Sequence, residues 1–129
     1  MEIAVGTEYT ESVTVSEANT AKTVGSGQIE VFATPMMIAL MESAAAQCIA
    51  PFLAEGQSSV GTRVEVSHGA ATPPGMTVTA TAAVTAVDRR RVDFRVTARD
   101  DAGVIGEGEH TRFIIDVERF LEKAAGRMG

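Results

Sequence analysis

Hydrophobic and polar residues alternate with a period of two over most of the second half of the chain, and this predicts strands. Over residues 59–70, Val60, Thr62, Val64, Val66 and His68 share one face, and Gly61, Arg63, Glu65 and Ser67 share the other. Residues 76–87 are rich in Thr and Val and alternate in the same way. Over residues 92–99, Val92, Phe94, Val96 and Ala98 oppose Asp93, Arg95, Thr97 and Arg99. Residues 104–115 predict a further strand and residues 8–15 a first, shorter one. Asp88-Arg89-Arg90 and Asp100-Asp101-Ala102-Gly103 have the composition of tight reversals. Thr72-Pro73-Pro74-Gly75 ends the 59–70 strand, because proline fixes φ and donates no N–H to a ladder. The last four strands read as a meander. Residues 16–30 are polar around Gly25-Ser26-Gly27 and read as a mobile loop.

One stretch does not alternate. From Thr34 to Ala54 the only charge is Glu42. Thr34 suits an N-cap and Pro35 the first helical position, where a missing N–H costs nothing. Met36 to about Ala50 are mostly good helix formers, Pro51 falls in the last turn and Gly56 marks the stop. The length approaches a membrane span, but Glu42, Ser43, Gln47, an alanine-rich centre and the lack of flanking Lys or Arg argue against one. A helix apolar all round is expected to be surrounded by protein. Val117, Phe120, Leu121 and Ala124 add a short amphipathic helix at the C-terminus. One long helix against an antiparallel sheet is an α+β architecture, read here as a single domain over residues 1–129. A single sheet covers only one side of such a helix. A second copy of the chain is expected to cover the other, as a homodimer or a larger assembly.

Composition narrows the function. The 129 residues carry 17 acidic and 11 basic side chains, a net charge of −6, and nucleic acid is therefore not the expected partner. A single cysteine forms no intrachain disulfide, and the first residues lack a basic segment followed by an apolar run, so a reducing, cytoplasmic setting is expected. Two histidines and one cysteine make a dedicated metal site improbable, and no phosphate-cradling glycine loop or GxSxG elbow occurs. No cofactor is expected.

The candidate chemistry is sparse. An unpaired buried carboxylate is costly, so Glu42 is either a general base or nucleophile in an apolar pocket, or a glutamate that reaches a polar rim or pairs with an arginine. His68, on the apolar face of its strand, is either a satisfied core histidine or a proton carrier, and Glu42 and His68 could be each other's partner. Thr34 and Glu42 lie two turns apart on one side of the helix, so direct contact within one chain is not expected. Gly61 interrupts a β-branched strand as a bulge or as a point of close ligand approach. Arg112 shares a face with His110 and Ile114, as a rim ion-pair partner or as a holder of a phosphate or carboxylate. His110 reads as structural or exposed and Cys48 as a small core residue. Arg89-Arg90-Arg91 is either a solvated cluster or a contact for the phosphates of a nucleotide-tailed ligand.

The segments VFATPMMIALMESAA (31–45) and SSVGTRVEVSHGAATPPGMTVTATA (58–82) resemble the hot-dog-fold acyl-CoA thioesterases, specifically the group that includes the fluoroacetyl-CoA thioesterase, with the likeness running from about Val31 to Phe120. The resemblance implies a long helix wrapped by an antiparallel sheet, two subunits joining sheets into a working dimer, and an acyl-CoA substrate. It puts the catalytic threonine, glutamate and histidine on Thr34, Glu42 and His68, and the ligand-contacting glycine and arginine on Gly61 and Arg112. The implied alternatives are a non-catalytic acyl-CoA-binding protein and a hydratase on the same fold. The fluoroacetyl-specific enzyme carries lid phenylalanines just ahead of VFAT. Here residues 25–30, GSGQIE, hold no aromatic, and a looser gate with little preference for the fluorinated acyl group is expected.

Overall fold

The computed structural model describes residues 2–129. Five strands, β1 (Glu8–Thr14), β2 (Gln57–His68), β3 (Thr77–Asp88), β4 (Arg91–Asp100) and β5 (Gly103–Asp116), form one antiparallel sheet. A one-turn helix α1 (Ala21–Val24) precedes the 16-residue central helix α2 (Thr34–Ile49), and α3 (Val117–Ala125) follows the last strand. This is the α+β, hot-dog arrangement that the resemblance implies.

The buried positions of α2 are Met37, Leu40, Met41, Ala44, Ala45, Cys48 and Ile49, the i, i+3, i+4 spacing of a single face. They meet Val78, Ala80, Ala82 and Val84 of β3 and Val92, Phe94, Val96 and Ala98 of β4. The alanines bring sheet and helix close, and each large side chain buried there contributes roughly 1.5–3 kcal/mol. Pro35, Ala39 and Gln47 on the opposite face of α2, and Ala50 just past its end, are exposed in the single chain. The long apolar stretch is therefore a core helix covered on one side rather than all round.

The expected four-strand meander holds only for β3, β4 and β5. The sheet order is β1-β3-β4-β5-β2, with β2 at the far edge and β5 its only strand partner among the described residues. The linker after β2 is too long and too proline-rich for a tight hairpin, and it crosses the sheet to β3, the strand next to β1 at the other edge. Buried Thr72 pins that crossing: its hydroxyl donates to Asp100 Oδ2 at 2.7 Å, and its carbonyl accepts from Phe32 N at 2.9 Å.

Residues 16–30 also depart from the expected loop. Ser16 and Asn19 form a reciprocal cap on a 3-10 turn (Glu17–Asn19), and Asn19 and Thr20 are buried. α1 follows and ends on Gly25 at φ 92, where a side chain would be strained. The capping potential of Ser, Thr and Asn, rather than apolar periodicity, orders this polar segment. Thr34 is not the cap of α2. Ala33 holds that position and has no side-chain acceptor to offer, while the Thr34 hydroxyl, one residue into the helix, is engaged by His68.

Candidate active site

Two groups of side chains gather on the inner side of the sheet. The first joins the start of α2 to the end of β2. Thr34 Oγ1 lies 2.7 Å from His68 Nδ1, and His68 Nε2 is buried with no hydrogen-bond partner among the described residues. A cavity of about 310 Å³ opens beside them, lined by Ala21, Ser26, Phe32, Thr34 and His68 among others. The ordered segment around Gly25-Ser26-Gly27 thus forms one wall of the space next to the imidazole.

The second group is built around Glu42. A β-bulge lies between Gly61 and Arg63, where β2 runs one residue out of step with β5. The extra residue reverses the inside–outside alternation. Ser59 and Gly61 face inward before it, and Val64, Val66 and His68 after it, opposite Ile114, Arg112, His110, Gly108 and Gly106 respectively. Gly61 was expected on the outer face; the bulge turns it inward. A Cβ at Gly61 would lie 2.5 Å from Glu42 Oε2 and 3.1 Å from His110 Cε1, so the absent side chain is what gives the carboxylate its place.

Arg112 is held on three sides. Its Nε donates to Ser59 Oγ at 2.8 Å, its Nη2 to the Ser59 carbonyl at 2.9 Å, and its Nη1 lies 3.2 Å from His110 Nε2. The same Nη1 stands 3.6 Å from Glu42 Oε2. The Glu42 side chain is 41% exposed, so this loose pair is screened by water and contributes at most about 1 kcal/mol. The arginine aims the carboxylate without enclosing it. Burial lowers the Arg112 pKa and Glu42 opposes that shift.

His110 was read as structural or exposed, and the structure buries it. Its Nδ1 lies 2.8 Å from the Arg63 carbonyl, which only accepts, so Nδ1 carries the proton and Nε2 accepts from Arg112. The ring stacks on Phe94 at 6.0 Å. Burial, chiefly, and Arg112 push the imidazole pKa below its ordinary 6.5, while the Arg63 carbonyl and Glu42 pull it up. A histidine depressed in the folded state contributes full stability above its unfolded pKa, and that contribution falls as pH drops below about 6.5 toward the folded value. His110→Gln keeps a donor for Arg63 and an acceptor for Arg112. Thermal unfolding followed from pH 8 down to 5 is expected to show a shallower acid-side loss of stability in this variant than in the wild type.

The structure thus brings Thr34 to His68, and Glu42 to Gly61 and Arg112. It does not join Glu42 to His68, the pairing considered from the sequence. Eight residues of helix separate Thr34 from Glu42, a rise of about 12 Å. Ser59 and His110 are members of the site that the sequence reading did not assign. His110 could have been found from its two-residue spacing to Arg112, whereas Ser59 becomes visible only once the bulge is known. Cys48 is a poor nucleophile: burial and nearby Glu8 raise its thiol pKa, and its Sγ donates to the Thr7 carbonyl at 3.4 Å. Among the described residues no cluster of His, Cys, Asp and Glu is arranged to hold a metal ion.

Residues 15–118 match the family described as fluoroacetyl-CoA-specific thioesterase. The fluoroacetyl-CoA thioesterase of Streptantibioticus cattleyicolor is 49% identical over 94 residues, covering 73% of this chain and 68% of that protein. A solved structure of the fluoroacetyl-CoA thioesterase superposes with a TM-score of 0.92 at 39% identity, over 98% of each chain. A thioesterase-superfamily protein from Thermus thermophilus superposes with a TM-score of 0.89 at 32% identity, over 98% of this chain and 93% of that one.

Proposed function

This chain belongs to the fluoroacetyl-CoA-specific thioesterase family, and we propose that it hydrolyses small acyl-CoA thioesters at a site formed by Thr34, Glu42 and His68, with Gly61 and Arg112 at the substrate. The observation that carries this reading is the space at Gly61, which admits a half-exposed carboxylate held by an anchored arginine. Glu42 either attacks the thioester carbonyl or takes a proton from the attacking water. In both routes the acyl–sulfur bond breaks, water supplies the hydroxyl of the product acid, and the departing thiolate accepts a proton. The Thr34–His68 pair is suited to that proton transfer.

The working unit in this reading is a homodimer. The exposed face of α2 and the free edge of β2 both call for a partner. If two β2 edges pair antiparallel about Val64–Glu65, His68 of one protomer lies opposite the partner's Gly61, to within the one-residue bulge. The Thr34–His68 pair of one chain then faces the carboxylate of the other, which removes the 12 Å obstacle of the single helix. A cytoplasmic setting fits the lone, buried Cys48.

Acyl selectivity follows from residues 25–30. Ser26 reaches the cavity beside His68, and no aromatic side chain in this segment closes over it. The specificity constants kcat/KM for fluoroacetyl-CoA and acetyl-CoA, measured side by side, are expected to differ by less than about tenfold. A strong preference for the fluorinated substrate would show that another part of the chain replaces the missing lid.

A further inference from the structure

His110 and Arg112 stand two residues apart on β5, both on the inner face of the sheet, and both are buried, at 1% and 7% exposure. Bulk water therefore does not replace a bond lost between them, and each N–H there needs a protein acceptor. Ser59 takes two of the arginine's donors: its hydroxyl accepts from Nε and its carbonyl from Nη2. Nη1 is left, with two N–H groups. It donates to His110 Nε2 at 3.2 Å, and Glu42 Oε2, its other facing acceptor, stands at 3.6 Å, beyond hydrogen-bond length.

The imidazole is held as an acceptor. Nδ1–H donates to the Arg63 carbonyl at the β2 bulge, at 2.8 Å, which leaves Nε2 with a lone pair. Phe94 stacks on the ring, and Gly61 lies against its edge, where a Cβ would come within 3.1 Å of Cε1. Burial, chiefly, and the guanidinium favour the neutral form. Ring orientation, tautomer and charge thus agree, and all three direct a lone pair at Arg112 Nη1.

Without that lone pair, a buried N–H of Nη1 loses its acceptor. The nearest replacement is Glu42, whose side chain is flexible and 41% exposed. Arg112 would then close the loose pair into a short, charge-assisted bond. A carboxylate bound in that way has its oxygens committed to the guanidinium instead of the substrate. We infer that His110 is a positioning residue for hydrolysis: by taking one Nη1 N–H, it keeps Arg112 from clamping Glu42 and leaves the carboxylate free to act. The inference rests on the acyl-CoA reading above, with Glu42 as the reacting group.

The test compares full-length His110→Leu and His110→Gln with the wild type, and repeats the leucine substitution in an Arg112→Ala background. Leucine fills a similar volume without an acceptor, and His110→Leu is expected to lower kcat for acetyl-CoA by about 10- to 100-fold with KM within about threefold. His110→Gln keeps an acceptor and is expected to stay within about fivefold of the wild-type kcat. With Arg112 already replaced, the leucine has nothing to release and is expected to cost less than about threefold. In a crystal structure of His110→Leu, the Nη1–Oε2 separation is expected to shorten from 3.6 Å to about 2.8 Å. A full leucine penalty in the Arg112→Ala background, an equal loss in the leucine and glutamine variants, or an unchanged separation overturns the inference. If the wild type releases no thiol from acyl-CoA, the enzymatic reading fails, and the separation alone decides whether His110 holds the pair open. Where His110→Leu does not fold, NMR of the ring nitrogens decides. A wild-type His110 protonated at Nδ1, with an Nε2 resonance that moves on Arg112→Ala, supports the inference; a ring protonated at Nε2, or one indifferent to Arg112, overturns it.

Discussion

Replacing Glu42 with glutamine is expected to lower kcat for acyl-CoA hydrolysis by about 100- to 10,000-fold, the range for loss of a positioned base or nucleophile. The substitution is close to isosteric, and the group it alters is half exposed. The contacts that anchor Arg112, to Ser59 and His110, do not involve Glu42. The fold therefore has little reason to respond, and KM is expected to stay near the wild-type value. Steady-state kinetics with thermal unfolding on the same preparation checks this. A large loss of stability, or a variant hydrolysing at the wild-type rate, would mean that Glu42 is a structural ion-pair partner only. An acyl-CoA-binding protein without catalysis would instead show altered affinity and no turnover to lose.

Gly61→Ala is expected to be nearly as damaging, for a steric reason. The new methyl would sit 2.5 Å from Glu42 Oε2. The atom in the way is the end of a flexible side chain, so the carboxylate swings aside and the backbone stays in place. The glycine needs no left-handed conformation, so alanine does not strain the backbone there, and the buried His110 ring, 3.1 Å from the new methyl, has to give by only a few tenths of an ångström. A displacement of about 1 Å at a reacting group can cost 100-fold in rate, while the stability change should stay within about 1 kcal/mol. The contrast between a large kinetic and a small thermal effect separates this mechanism from simple misfolding. At Gly108 the obstacle to a Cβ is the Glu65 backbone carbonyl, and there the fold itself would have to give way.

Much of this site was legible in the sequence, and the parts that were not have physical causes. Glu42 stood out because no other charge lies near it on an apolar helix. His68 stood out because alternation put it on the inner face, where the structure finds it. Gly61 was flagged as a bulge or a point of close ligand approach; the structure puts it at the edge of a bulge, and its missing side chain leaves room for Glu42. Its face was misassigned, because a bulge reverses alternation and a period-two count has no way to register the extra residue. The placement of β2 at the far edge depends on pairing between residues distant in sequence, and the strand pattern alone is equally compatible with a meander. The order of residues 16–30 comes from side-chain caps within a polar stretch that composition reads as loop. Thr34 was assigned a capping role its hydroxyl does not perform, because its partner, His68, lies 34 residues away. The expectation that a second chain covers α2 follows from the bare Pro35, Ala39 and Gln47 face, and it leads to the claim on which the mechanism depends.

That claim is that Glu42 of one protomer and the Thr34–His68 pair of the other act together on one thioester. Release of free CoA thiol from acetyl-CoA tests it when Glu42→Gln and His68→Ala chains, each inactive alone, are unfolded together and refolded as mixed dimers. One of the two sites in each mixed dimer is then intact, and the mixture is predicted to regain a substantial part of the wild-type rate. A mixture as inactive as its components would contradict the account.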